Sequence, residues 1–265
     1  MKIERILLAA GERGAADDEV AVEAPLEIRV GGKALTVVMR TPGHDEELAR
    51  GFLYAESLID AAADIVAVTR PAALTGDEVG NVVAVTLRAG VRTPAGERLF
   101  YASSSCGVCG KNAISTLRVR APVESPLSSS FAVLATRLGE LPERLRAAQP
   151  LFARTGGVHA SGLFAADGTL ELAREDVGRH NALDKVIGWA LEHGRLPLAD
   201  RLLAVSGRVS YDIVQKAIAA GLPLIAAVGA PSTLAIDLAE QFAVTLVGFL
   251  RDGGMNVYTH GERVI

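Results

Sequence analysis

The part of the chain that most restricts the possible folds is 158–258, where short apolar runs alternate with segments of helical periodicity. The runs predict strands at 158–164, 170–173, 201–205, 223–228, 244–250 and 255–258, and the intervening segments predict helices at 180–193, 209–220 and 232–241. Strands that are apolar on both faces need cover on both faces. The pattern therefore predicts the α/β class, with a mixed sheet and helices on both of its faces.

The first part of the chain has a different pattern, which is rich in β-structure and has one clear helix. Alternation predicts strands at 26–30 and 35–39 around a Gly31-Gly32 hairpin turn, and apolar spacing predicts a helix over 44–59. Residues 1 to about 20 read as a loose arm. Two further strands are predicted at 65–69 and 82–87.

A Pro/Ser-rich stretch, APVESPLSSS around 121–130, predicts a boundary between two subdomains. We expect a β-rich N-terminal subdomain over 1–120, which ends in a cysteine-containing loop, and an α/β subdomain over 121–265. Ser128–Ser130 are suitable caps for a helix that begins near Phe131 and extends to Leu138.

Composition and charge exclude several classes of protein. The 265 residues carry a net charge of -4, which argues against broad nucleic-acid binding because that needs a basic surface. The N-terminus lacks the apolar core of a signal peptide, and no apolar run reaches the length of a membrane span. We therefore expect a cytoplasmic protein, with no membrane partner and with its two cysteines reduced.

The most reactive-looking segment is SSSCGVCGKN, residues 103–112, which contains Cys106 and Cys109. Serines and glycines predict an uncluttered loop, and Lys111 could lower the pKa of a thiol. A structural zinc site is disfavoured because it needs four ligands, although two subunits could share one across a dimer axis. A thioredoxin-like redox motif, two incidental cysteines and a sulfur relay are the other interpretations. The CxxC spacing alone does not separate sulfur relay from redox chemistry.

A second motif, REDVGRHN at 174–181, follows a predicted strand and opens the best predicted helix. Such a junction points free amide groups outward, and Arg174 and Arg179, with His180 beside them, would reinforce an anion site. An ordinary charged helix cap explains the same charge pattern equally well. The polar residues that follow on the same helix read as a solvated face: Asn181, Asp184 and Lys185.

Two small-residue turns separate later strands from helices: Ser206-Gly207-Arg208 and the segment 229–233. Open α/β sheets bind ligands at such turns, so together with the arginine motif they predict one phosphate-binding crevice. His159, on the strand before them, is interpreted as a core histidine in preference to a catalyst.

These motifs together resemble the formate dehydrogenase accessory sulfurtransferases of FdhD type. The resemblance rests on the stretches RTPGHDEELARGFLYAESLI, SSSCGVCGK, TGGVHASGLF, REDVGRHNALDK, SGRVSYDIVQKAIAAGLPLIAAVGAPSTLAIDLA and FLRDGGMNVYTH. They run in the family's order from about residue 40 to the C-terminus, whereas the first 20 residues match nothing. The departures are small: Gly31, Ser57 and Ser161-Gly162 stand where the family commonly has other residues.

The resemblance implies a sulfurtransferase with a persulfide intermediate. It would pass sulfur from a cysteine desulfurase to bis-molybdopterin guanine dinucleotide, the molybdenum (or tungsten) cofactor of formate dehydrogenase. By this analogy Cys106 and Cys109 carry the sulfur, and the protein has no metal of its own. The residues expected to bind the cofactor are Arg174, Arg179, His180, Ser206, Gly207, Arg208, Phe249, Leu250, Arg251, Asp252, Gly253 and Gly254.

The family also implies a cytidine-deaminase-like C-terminal part and a homodimer. Zinc deaminases carry His-x-Glu and Pro-Cys-x-x-Cys at two helix starts, where this chain has Arg179-His180-Asn181 and Gly207-Arg208-Val209, so we expect no deaminase activity. Two functions from other classes stay open: a non-enzymatic chaperone that binds the cofactor and docks on the dehydrogenase, and a thiol–disulfide oxidoreductase.

Overall fold

The computed structural model describes residues 1–8, 11–72, 74–91, 100–102 and 130–265. The predicted cysteine loop at 103–112 and the predicted boundary at 121–130 lie outside the described residues, except for Ser130. The described part is built around two larger sheets and a separate two-stranded hairpin.

The strands are β1 (Lys2–Leu7), β2 (Glu12–Asp17), β3 (Ala24–Val30), β4 (Lys33–Arg40), β5 (Ile65–Thr69), β6 (Val82–Leu87), β7 (Phe100–Ala102), β8 (His159–Phe164), β9 (Leu170–Asp176), β10 (Leu202–Val205), β11 (Leu224–Ala227), β12 (Thr245–Arg251) and β13 (Gly254–Thr259). The α-helices are α1 (Asp45–Ala55), α2 (Ala135–Ala147), α3 (Pro150–Thr155), α4 (Arg179–Glu192), α5 (Tyr211–Ala219) and α6 (Thr233–Gln241).

The C-terminal sheet has the strand order β13-β12-β11-β10-β8-β9. β10, β11 and β12 are parallel, whereas β8 is antiparallel to both β10 and β9, and β13 is antiparallel to β12. As a result β9, β10, β11 and β12 all run in the same direction. The predicted α/β class and mixed sheet are confirmed.

Helices cover both faces of this sheet, as predicted. On one face α2 packs Leu138, Leu141 and Leu145 into an apolar cluster with sheet residues that include Phe164 and Val247. On the other face α4, α5 and α6 join a larger cluster, which continues into α1 and the N-terminal sheet. The central strands β10 and β11 are buried throughout, which explains their continuous apolar sequence.

The N-terminal sheet has the order β5-β6-β3-β4-β7 and packs on α1. α1 in turn crosses α4 at two glycines. A Cβ added to Gly51 would lie 1.8 Å from the carbonyl oxygen of Asp184, and one added to Gly188 would lie 1.8 Å from that of Glu47. The two helix backbones are therefore in direct contact, which only glycine allows at these positions.

The structure corrects three predictions about the elements. Residues 1–20 contain a β-hairpin, β1–β2, where we expected a loose arm. The helix expected over 131–138 is displaced to α2. The short helix α3 was not predicted at all.

The division into subdomains at residue 120 stays a prediction. One apolar cluster contains residues from both proposed parts, including Leu26 and Ile225. Among the residues that the structure describes, none of the helices has the length and apolar character needed to cross a membrane.

Candidate functional site

Two turns, which follow β10 and β11, meet an irregular part of β12 at the carboxyl edge of the C-terminal sheet. The amide of Gly229 donates to the carbonyl of Gly207 over 3.1 Å, and the amide of Val209 donates to the carbonyl of Ala230 over 3.1 Å. The amide of Phe249 donates to the carbonyl of Gly229, also over 3.1 Å. We call the concave edge formed by 177–180, 206–210, 228–232 and Phe249 the crevice.

The N-termini of α4, α5 and α6 all lie at the crevice, because each helix follows a strand that ends at this edge. Only one of the three N-caps is satisfied by its own side chain: Ser232 accepts a hydrogen bond from the amide of Ala235 over 3.3 Å. Helix N-termini present free amide groups and the positive end of the helix dipole, so the crevice suits an anion.

Glycines permit the close packing of these turns. A Cβ at Gly229 would lie 2.7 Å from the carbonyl oxygen of Gly207, and one at Gly207 would lie 3.1 Å from Nδ1 of His159. The hydroxyl of Ser206 accepts a hydrogen bond from the amide of Ala160 over 2.9 Å, which ties the first turn to β8. Ser206 therefore shapes the crevice through its hydroxyl group, and Gly207 through its lack of a side chain.

Arg179 and Arg208 supply positive charge, from half-buried and exposed positions respectively. His180 lies deeper, with Nε2 3.4 Å from Oγ of Ser210 and 3.9 Å from Oδ2 of Asp212. Burial, and then the positive charges of Arg179 and Lys216, lower the pKa of His180 from 6.5 to about 3. Its imidazole is therefore neutral at physiological pH.

Arg174, the other arginine of the motif, does not point into the crevice. Its guanidinium makes a bidentate ion pair with Glu47 of α1, with Nε–Oε2 at 2.6 Å and Nη2–Oε1 at 2.8 Å. The carboxylate of Glu175 accepts hydrogen bonds from the amides of Leu151 and Phe152 at the start of α3. These two residues hold neighbouring elements together, whereas we predicted that Arg174 contributes to the anion site.

Asp176 is the centre of a buried polar network. Its carboxylate accepts hydrogen bonds from the amide of Gly178 over 2.8 Å, the side chain of Asn181 over 3.0 Å and the amide of Thr41 over 3.2 Å. The ammonium group of Lys185 lies 2.7 Å from the same carboxylate and donates to the carbonyl of Thr41. The network joins the end of β4 to the start of α4.

The interpretation of Asn181, Asp184 and Lys185 as a solvated face is wrong. All three side chains are buried, because Asn181 and Lys185 belong to the Asp176 network and Asp184 pairs with Lys216 of α5 over 2.8 Å. Sequence reasoning also missed Thr41 and Lys216, since nothing in their local patterns marks a buried partner. His159 is half-buried beside Gly207. The two residues are far apart in the sequence, so this contact could not be predicted from it.

The C-terminal stretch 249–254 is divided among three places. The half-buried Phe249 lies at the crevice, with the guanidinium of Arg251 5.5 Å from its ring centroid, whereas the side chain of Leu250 packs in the apolar cluster under α2. Arg251, Asp252, Gly253 and Gly254 form an exposed turn that lines a groove of about 610 Å³ together with α2. The assignment of this stretch to cofactor binding stays a prediction.

Cys106 and Cys109 lie outside the described residues. Within the part that is described, no cluster of three or more His, Cys, Asp or Glu side chains could hold a metal ion, and the expectation of no resident metal stays untested.

The fold defines this chain as an α/β protein in which three helix N-termini meet at the carboxyl edge of a mixed sheet. More specifically, the chain belongs to the FdhD/NarQ family, whose model matches residues 21–265.

Curated relatives are similar over nearly the whole chain. A protein of Mycolicibacterium paratuberculosis named sulfur carrier protein FdhD is 51% identical over 261 residues, which cover 97% of this chain and 96% of that protein. A protein of Mycobacterium tuberculosis with the same name is 49% identical over 257 residues, covering 93% of this chain and 92% of the relative.

A solved structure from Desulfotalea psychrophila, described as a candidate formate dehydrogenase accessory protein, has the same fold. It superposes with a TM-score of 0.77 at 25% identity and covers 100% of this chain and 99% of that one.

Proposed function

We propose that this chain is a sulfurtransferase that serves formate dehydrogenase. It accepts sulfur from a cysteine desulfurase as a persulfide on Cys106 and delivers it, with the help of Cys109, to bis-molybdopterin guanine dinucleotide. The molybdenum or tungsten form of this dinucleotide is the substrate, and the crevice holds it.

The observation that carries the proposal is the convergence of three helix N-termini with Arg179 and Arg208 at one sheet edge. The dinucleotide contains a pyrophosphate, and backbone amides and guanidinium groups are the donors that bind phosphate oxygens best. The glycines at 207 and 229 let the two turns pack closely against neighbouring parts of the protein, which holds both turns at the same sheet edge. The crevice thus fits the phosphate part of the proposed substrate.

The last described strand before the cysteines, β7, lies beside β4, which leads to the start of α4. β7 is parallel to β4, with Ala102 paired to Val38, so both strands end at the same edge of the N-terminal sheet. Just past the end of β4, Thr41 is held by Asp176 beside the start of α4. Cys106 follows Ala102 by four residues, which span at most about 14 Å when fully extended.

The transfer needs only sulfur chemistry. The thiolate of Cys106 attacks the outer sulfur of the desulfurase persulfide, a new S–S bond forms, and the desulfurase cysteine leaves as a thiolate. Cys109 then either accepts the sulfur in turn or attacks the inner sulfur of Cys106, which releases hydrosulfide as a Cys106–Cys109 disulfide forms. The former moves the sulfane sulfur to Cys109 and leaves Cys106 as a thiol, with no net oxidation, whereas the latter oxidises both cysteines to a disulfide while the sulfane sulfur is reduced to hydrosulfide.

The names of the relatives support the same role. Two relatives share about half of their residues with this chain over nearly its full length, and both are named sulfur carrier proteins. The structural neighbour is described as a candidate formate dehydrogenase accessory protein. Neither the chaperone nor the oxidoreductase alternative accounts for a sulfur-carrier name.

Sulfur labelling separates the three functions. The purified protein is incubated with a cysteine desulfurase and ³⁵S-cysteine, desalted, and mixed with the guanine-dinucleotide cofactor. A sulfurtransferase retains reductant-labile label and passes it to the cofactor, and Cys106→Ala retains none. A chaperone binds the cofactor without label, and an oxidoreductase exchanges disulfides without carrying sulfur; either result would overturn the proposal.

A further inference from the structure

His159 occupies a defined place in the crevice that its interpretation as a core histidine does not explain. The residue is half-buried at the start of β8, and its ring lies against the α-carbon of Gly207. A Cβ at Gly207 would come within 3.1 Å of Nδ1 and 3.2 Å of Cε1. A side chain at residue 207 would therefore press on this imidazole, which would have to shift by a few tenths of an ångström.

No hydrogen bond to the His159 imidazole comes from any residue that the structure describes. A histidine that belongs to a core is normally satisfied by a protein partner. An imidazole without one, beside a site built from amide donors, is available to a ligand in the crevice.

The charged groups around His159 come from three elements. Arg179 and His180 belong to α4, Arg208 lies in the turn after β10, and Asp176 ends β9. Burial first, and then the charges of Arg179 and Arg208, hold the pKa of His159 below its usual value, while Asp176 acts in the opposite direction. In the free crevice, burial first and then the charges of Arg179 and Arg208 therefore favour the neutral imidazole of His159.

We propose that His159 is a proton-linked contact for the pyrophosphate of the ligand, which takes up a proton when the ligand binds. This inference rests on the proposed nucleotide site. A bound pyrophosphate offsets the positive charge of Arg179 and Arg208, so protonation of His159 becomes favourable and adds a charge-assisted hydrogen bond. His180 stays neutral because it is buried more deeply.

The probe for the test is diguanosine pyrophosphate, whose two diester phosphates do not titrate near neutral pH. Calorimetry in two buffers of different ionisation enthalpy measures both its affinity and the number of protons taken up. Wild-type protein should bind the probe several-fold more tightly at about pH 5.5 than at about pH 8, and a rise of about one unit in the pKa of His159 on binding limits this gain to about tenfold.

The variant His159→Gln should bind the probe at both pH values with the affinity that wild-type protein has at the higher pH. Its binding should not be accompanied by proton uptake. The matched control is His193→Gln, because His193 is exposed at the far end of α4, where it stacks on Trp189. Thermal unfolding of both variants shows whether each is folded.

The outcomes distinguish the inference from the proposed function. Binding by wild-type protein without proton uptake, or with an uptake that persists in His159→Gln, would overturn the role of His159 and leave the nucleotide site intact. Failure of wild-type protein to bind the probe at either pH would overturn both.

Discussion

The ammonium nitrogen of Lys185 lies 2.7 Å from Oδ2 of Asp176, and both side chains are almost fully buried. The pair fixes the end of β4 to the start of α4, because Asp176 accepts a hydrogen bond from the amide of Thr41 and Lys185 donates one to the carbonyl of Thr41. A buried pair adds little stability by itself, yet the loss of one partner leaves an uncompensated charge in the interior.

Replacement of that lysine by a neutral residue tests the structural role of the network. Lys185→Met should lower the free energy of unfolding by about 3–5 kcal/mol, since the charge of Asp176 is left unpaired. Lys33→Met, at an exposed position in the β3–β4 hairpin, is the control and should change it by less than about 0.5 kcal/mol. Chemical denaturation measures both, and equal effects would show that Lys185 is solvated in the folded protein.

The crossing of α1 and α4 makes a second prediction. Gly188→Ala places a methyl group against the carbonyl of Glu47, so the helices must separate and the free energy of unfolding should fall by more than about 3 kcal/mol. Gly139→Ala, at an exposed position of α2 with open space around it, should instead raise the free energy of unfolding by about 0.5–1 kcal/mol. Equal and small changes would mean that the helices do not touch there.

The two arginines of the REDVGRHN motif should have different effects. Arg179→Ala should weaken binding of guanosine diphosphate by about 1.5–3 kcal/mol, as expected for hydrogen bonds to a charged group. Arg174→Ala should leave that binding unchanged and lower the free energy of unfolding, because Arg174 pairs with Glu47. Calorimetry and denaturation measure the two effects, and a loss of nucleotide affinity in Arg174→Ala would place that guanidinium in the site.

Acid should destabilise the protein through His180. The pKa of this residue is about 3 in the folded protein and 6.5 for an ordinary solvated histidine, so the unfolded state binds more protons between these limits. The contribution of His180 to stability is complete above pH 6.5 and falls by about 1.4 kcal/mol for each pH unit below it. Unfolding free energies at several pH values should decrease less steeply for His180→Gln than for wild-type protein, whereas a parallel decrease would show that His180 is accessible to protons when folded.

Much of the C-terminal architecture could be predicted from the sequence, because buried strands and the helices between them leave strong apolar patterns. The glycine turns at Gly207 and Gly229 could be placed for the same reason, since each follows a predicted strand and precedes a predicted helix. The hairpin β1–β2 could not, because nearly all of its side chains are exposed and its strands are held by backbone pairing that leaves no apolar alternation.

The roles of the charged residues could be predicted least well. Arg174 and Arg179 are five residues apart and chemically identical, and only the position of Glu47 on α1 separates their functions. Lys185 resembles a surface residue until its partner, Asp176, is brought beside it by the turn into α4. Whether such a residue is buried depends on partners that are distant in the sequence, and a single sequence does not show which residues those partners are.

The central claim is that Cys106 carries sulfur, and mass spectrometry of the intact protein tests it most directly. After incubation with a cysteine desulfurase and cysteine, the protein should gain the mass of one sulfur atom, located on the peptide that contains Cys106 and removed by a thiol reductant. The added mass should disappear when the guanine-dinucleotide cofactor is supplied, and it should never form on Cys106→Ala. An unchanged mass after incubation with an active desulfurase, or an equal gain by Cys106→Ala, would contradict the account.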